Sequence, residues 1–197
     1  MQNKIITFDR RKREERDVVV CKILKNINGK TAFELLEIYD IPLEPPIQIS
    51  QLLQRIGVST LGIDFTQIEK DAGYEYGRIL GAAISKGDNL TIFYRKQDSK
   101  NRQRFTIAHE LAHCCLHTDN LQQNHIELRE NETVKDTKET EADIFAGELL
   151  IPEQSLVKVY DEFYVPSLKS LAKIFMVSTN VMAARLDYLS MPYFKDA

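Results

Sequence analysis

Three of the four histidines in this 197-residue chain fall in one stretch, RFTIAHELAHCCLH, residues 104–117. His109 and His113 are four residues apart, so on a helix both imidazoles lie on one face and can point at one ion. Glu110 sits about 100° round the helix from His109. It can take a proton from a water held at that ion without being a ligand itself. The spacing His-Glu-x-x-His suits zinc, which accepts imidazole and carboxylate and in catalytic sites has three protein ligands. A core helix carrying this pattern by accident would bury two imidazoles without partners, at a cost in free energy.

Two histidines leave the site one ligand short. The metzincin pattern would need Gly at 116 and His at 119, where this chain has Leu116 and Asp119. His117 lies one turn past His113 on the same edge. It reads as a polar residue at the rim of the site rather than a fourth ligand. Cys114 and Cys115 are rotated away from the histidine edge and read as small buried residues. The segment KETEADIFAGELLIP, residues 138–152, offers a carboxylate. Glu139 and Asp143 share a helix face, so Glu139 would ligate the metal. Asp143 would accept a hydrogen bond from a ligating histidine and fix its tautomer. Glu141 is the fallback ligand, but it does not share the face of Asp143. An acidic helix start is also favoured by the helix dipole alone, so Glu139 gains meaning only beside an upstream motif in need of a partner.

These groups need elements to hold them. Residues 10–28 have a rough helical stripe, Thr31 to Ile38 reads as a short helix, and Pro42, Pro45 and Pro46 break the chain. Ile49 to Ile56 is helical with Gly57 as its C-cap, and Val58 to Phe65 has strand character. Ile79–Ile84 and Leu90–Tyr94, joined by Lys86-Gly87-Asp88-Asn89, form a β-hairpin. The spacing predicts a helix over Arg104–His117, a long polar loop over 118–137, and a helix from Glu139 to Leu150 capped by Asp136 or Thr137 and ended by Pro152. Ser155 to Leu189 is helical, interrupted near Pro166. Within it SLKSLAKIFMVSTNVMAARLDYL, residues 167–189, has the apolar spacing of a helix-turn-helix.

The paired motifs, RFTIAHELAHCCLH and then ETEADIFAGELLIP, resemble the ImmA/IrrE family of gluzincin-like metallopeptidases. The resemblance covers roughly the middle half of the chain, and Ala112 stands where many members have Gly. It implies zinc held by His109, His113 and a glutamate of the second motif, with Glu110 catalytic. The position of Glu139 ahead of the Ala142-Asp143 pair supports it as that glutamate. The family also implies a substrate: a helix-turn-helix repressor of a mobile element or stress regulon. The fold expected is α+β. It is a zincin-like domain with a small antiparallel sheet, a His-Glu-x-x-His helix, a second ligand-bearing helix and a C-terminal helix-turn-helix-like segment. The domain reading is an N-terminal helical extension at 1–30, the metallopeptidase domain at 31–155 and a packed helical segment at 156–197.

The mechanism expected is hydrolysis of a peptide bond, with Glu110 as general base and then acid. His117, Tyr94 and Tyr160 are candidates to donate to the oxyanion. A hairpin strand, Leu90–Tyr94 or Ile79–Ala83, would pair with an extended substrate. The alternative is a regulatory module that keeps the fold but binds a repressor or DNA without cutting. Composition bounds these readings. Apolar residues are 43% and charged residues 28%, with a formal net charge of −3, so there is no overall basic field for nucleic acid or anionic membrane. The run Asp9 to Asp17 mixes both signs, and Arg185 is the lone base on the second C-terminal helix, which argues against DNA binding. No apolar run approaches the roughly 20 residues of a bilayer span. Three cysteines, two of them adjacent, make no disulfide framework. A cytoplasmic protein follows, acting on a protein partner; its oligomeric state is open.

Overall fold

A computed structural model describes residues 21–117, 125–128, 137–162 and 166–194, with side chains of 125–128 outside the description. Of the N-terminal stretch read as helical, 10–20 lies outside the described residues, as does the mixed-charge run. In chain order the elements are α1 (Lys22–Ile27), α2 (Ala32–Ile38), α3 (Ile49–Ile56), β1 (Ser59–Ile63), α4 (Thr66–Asp71), β2 (Ile79–Lys86), β3 (Asn89–Arg95), α5 (Lys100–Leu116), β4 (His125–Leu128), α6 (Thr137–Leu150), α7 (Glu153–Tyr160), α8 (Leu168–Phe175) and α9 (Thr179–Tyr188). The class is α+β, as expected.

The sheet departs from the expectation. Its order is β1-β3-β2-β4, and β1 runs parallel to β3, so it is mixed rather than purely antiparallel. The β2–β3 hairpin turns through Gly87 and Asp88, where Gly87 adopts φ +60°. A left-handed residue lets a two-residue turn match the strand twist. The segment read as a long loop contains β4, which pairs antiparallel with β2 from Ile79 to Ala83. Both hairpin strands are therefore flanked on each side among the described residues. Neither offers the open edge foreseen for a substrate backbone; the sheet's outer strands are β1 and β4.

Local chemistry sets the helix ends. Thr31 and Glu34 form a reciprocal capping box at α2, and Gly57 takes φ +91° after α3. The Ser99 side chain accepts from the Arg102 N–H, so α5 starts at Lys100, one turn earlier than the apolar spacing suggests. Buried Gln103 then donates its amide to the carbonyls of Lys96 and Asp98 at 3.0 and 2.9 Å, fixing how α5 leaves β3. Arg104 donates to the Ile47 carbonyl at 3.0 Å, tying the same helix to the segment before α3.

Helix α4 was not foreseen. It carries Glu69, which is buried with Arg95 of β3 as an ion pair. Glu69 accepts from the Ile79 and Gly77 N–H groups at 2.7 and 3.1 Å, and Arg95 donates to the Ile79 carbonyl. The pair thus grips the first residue of β2 from both its N–H and its C=O. Burial opposes the charge on Glu69, but those N–H bonds and Arg95 outweigh it and hold the carboxyl below its ordinary range.

One hydrophobic core runs from Leu24 and Ile27 of α1 through Leu111 of α5 and Leu149 of α6 to Phe175 of α8 and Leu186 of α9. Ala142 and Ala146 on α6 are fully buried and let it approach α5 closely. Helices α8 and α9 are joined by Met176 to Ser178, with the Ser178 hydroxyl accepting from Val181 N–H. They are fastened to the rest by polar bonds as well as packing. Asn101 of α5 donates to the Val177 carbonyl at 2.8 Å. Arg185 of α9 is buried, donates to the Ile151 carbonyl at 3.2 Å and meets Glu148 at 3.4 Å. No helix among the described residues is long and apolar enough to cross a membrane.

Candidate metal centre

Helix α5 presents His109 and His113 on the face that meets α6, and α6 presents Glu139 and Asp143 in return. His109 Nε2 lies 3.0 Å from His113 Nε2 and 3.1 Å from a Glu139 carboxylate oxygen. His113 Nε2 lies 3.4 Å from the other oxygen of Glu139. Two imidazole nitrogens and a carboxylate aimed at one point is an arrangement that makes sense around a cation. Ligands held about 2.0–2.1 Å from a tetrahedral zinc stand about 3.3 Å apart. The observed separations of 3.0 to 3.4 Å match that edge length, so these residues fit the ion in donor chemistry and in spacing.

Asp143 Oδ1 sits 2.9 Å from His109 Nδ1. With Nδ1–H donating there, the lone pair of His109 Nε2 is turned towards the cluster. Burial pushes the His113 imidazole below its ordinary value, which keeps it in the neutral form that can ligate. Hydrogen bonds from His109 and then His113 hold the Glu139 carboxyl well below the usual carboxylate range.

Glu110 is fully buried and turned towards the sheet. An added Cβ at Gly81 would stand 2.7 Å from Glu110 Oε1 and 2.6 Å from Thr106 Cγ2. Gly81 is thus where the bare backbone of β2 makes room for the Glu110 carboxylate. Sequence reading passed over it, although an isolated glycine inside a strand signals close approach.

The remaining candidates separate clearly. His117 is buried beside the cluster, with its ring centroid 5.3 Å from that of His113 and its Nε2 3.2 Å from the Lys138 carbonyl. Glu141, the fallback ligand, stands outside the triad, 3.4 Å from His117 Nε2. The Tyr94 ring, hydroxyl included, lies against Gly62 of β1, while Gly81 of β2 is its partner on the other side. Tyr160 donates its hydroxyl to the Pro192 carbonyl, an interaction that fixes it to the C-terminal segment. Cys114 and Cys115 are fully buried, and burial drives both thiols far up, so they pack as inert apolar groups.

The chain belongs to the Peptidase_M78 family, the IrrE N-terminal-like domain, whose model matches residues 53–187. That span covers the sheet, the cluster and helices α8 and α9, and it makes this a metallopeptidase-like domain. Among curated proteins none matches the chain. Within the Peptidase_M78 match, the sole group of described residues that could hold a metal ion is His109, His113 and Glu139.

Proposed function

We propose that this protein is a zinc-dependent endopeptidase with a zincin-like fold, acting on a specific protein partner. The observation that carries the reading is the meeting of His109, His113 and Glu139 at 3.0 to 3.4 Å, with Glu110 buried one residue along the same helix. A pure binding module has no use for a carboxylate kept out of solvent in that position.

Zinc, when bound, polarises a peptide carbonyl and makes a water acidic enough to attack near neutral pH. The chain's own residues supply the rest. His109 is oriented by Asp143, and Glu139 supplies the negative charge that a dication needs. Glu110 takes the proton of the attacking water on its carboxylate and delivers it to the leaving amine nitrogen. The close fit at Gly81 restricts where that carboxylate can swing. His117, whose ring centroid lies 5.3 Å from that of His113, is the donor favoured for the developing oxyanion.

The substrate class follows the family resemblance: a helix-turn-helix repressor of a mobile element or stress regulon. We place α8 and α9 as a packing module rather than a DNA reader, because Arg185 is committed to Ile151 and Glu148. The test is incubation of zinc-loaded protein with the repressor-like product of a neighbouring gene, beside Glu110→Gln. The wild type should cut and the variant should bind zinc equally but leave the partner intact. Cutting by Glu110→Gln at the wild-type rate would refute the assignment.

A further inference from the structure

A groove of about 330 Å³ opens between α5, α6 and α9, and its walls include Phe105, Asp143, Ile144, Gly147, Val181 and Tyr188. It begins one imidazole away from the ligand cluster, because Asp143 lines it and also holds His109 Nδ1 at 2.9 Å. Residues of an extended chain advance about 3.3 Å each. A peptide with its carbonyl at the cluster and its chain passing the Asp143 edge of His109 brings a side chain to this groove within one or two residues of that carbonyl.

The two charged groups that could select an ionic occupant are already engaged. Asp143 is bonded to His109, and Arg185, at the far wall, is bonded to Ile151 and Glu148 and stacked on Tyr188. What the groove offers is mostly ring and aliphatic surface. Its volume is enough for one large side chain and the backbone that carries it.

Gly147 gives a second, independent observation. It sits inside α6, where glycine costs about 1 kcal/mol relative to alanine. Close helix packing does not account for it, since an added Cβ would meet no atom within 4 Å. The space such a side chain would enter belongs to the groove.

We propose that this groove is the specificity pocket of the peptidase, taking one large apolar side chain of the substrate next to the scissile bond, with Gly147 keeping it open. The inference rests on the peptidase reading above. It also makes α9 part of the substrate site.

The test uses the full-length zinc-loaded protein and a mixed peptide pool, with the cut sites read by mass spectrometry. The wild type should cut with a large aliphatic or aromatic residue at one fixed position beside the bond. Gly147→Leu fills the groove from α6 and Val181→Phe fills it from α9. Each should lower cleavage of those peptides by about tenfold or more relative to peptides with a small residue there, with zinc content unchanged and the melting temperature not lowered. If one variant fails to fold, the other carries the comparison. A readout free of catalysis is binding of a labelled peptide by zinc-loaded Glu110→Gln, which should weaken when the apolar residue is replaced by glycine. Cleavage with the same profile in wild type and both filled variants overturns the pocket alone. Failure of zinc-loaded wild type to cut any peptide or the repressor-like partner overturns the peptidase reading beneath it.

Discussion

Gly81 shows how narrowly one residue can set the chemistry. A methyl group there would press on Glu110 Oε1 and Thr106 at under 3 Å, so the glutamate would have to move. Displacement of a catalytic group by about 1 Å can cost about 100-fold in rate. Gly81→Ala should therefore reduce turnover by that order while leaving zinc content as in wild type, which steady-state kinetics and metal analysis together would show. The meeting of His109, His113 and Glu139 is legible in the sequence because helical spacing dictates which side chains share a face. His109 with His113, and Glu139 with Asp143, each follow from a four-residue step. The oxyanion donors are not legible in this way. Tyr94 lies within a strand, as expected, but only the sheet order shows that Gly62 of β1 meets its ring.

Among the elements, the clamp on β2 matters most to the site. Glu69 and Arg95 fix Ile79, two residues before Gly81, and both charges are buried. Removing one partner of such a pair leaves the other uncompensated, so Glu69→Ala should cost about 3–5 kcal/mol in denaturant unfolding. The pH dependence has a definite sign. The Glu69 carboxyl is lowered from the ordinary 4.5, so the stability it contributes is complete above that value. It is lost as pH falls through the lower folded value. Unfolding free energies measured from pH 7 downwards should fall more steeply at the acid end for wild type than for Glu69→Gln. This clamp is hidden in the sequence, since its partners lie 26 residues apart in unrelated elements. Strand β4 is hidden for a different reason: His-Ile-Glu-Leu alternates, but four residues inside a polar stretch carry too little pattern. Helix α3 with its Gly57 cap and the Gly87 turn, whose signals are local, are read correctly from sequence, whereas the Ser99 cap of α5 is not.

For the whole molecule, one core joins α1 to α9, and the C-terminal helices are bound to α5 through Asn101 and to the end of α6 through Arg185. With a net charge of −3 and the one base of α9 turned inward, the molecule should not be retained by random-sequence duplex in a gel shift at moderate salt. Strong retention would restore the DNA-binding alternative. We propose that His109, His113 and Glu139 converge on a single zinc ion. Competition titration of zinc against a chromophoric chelator, for wild type and for each single alanine variant, is the direct test. Wild type should bind one equivalent tightly, and the loss of any of the three ligands should abolish that binding. Asp143→Ala, which removes only the support of His109, should lower the affinity by about 10–100-fold. Zinc bound by Glu139→Ala as tightly as by wild type would contradict the proposal.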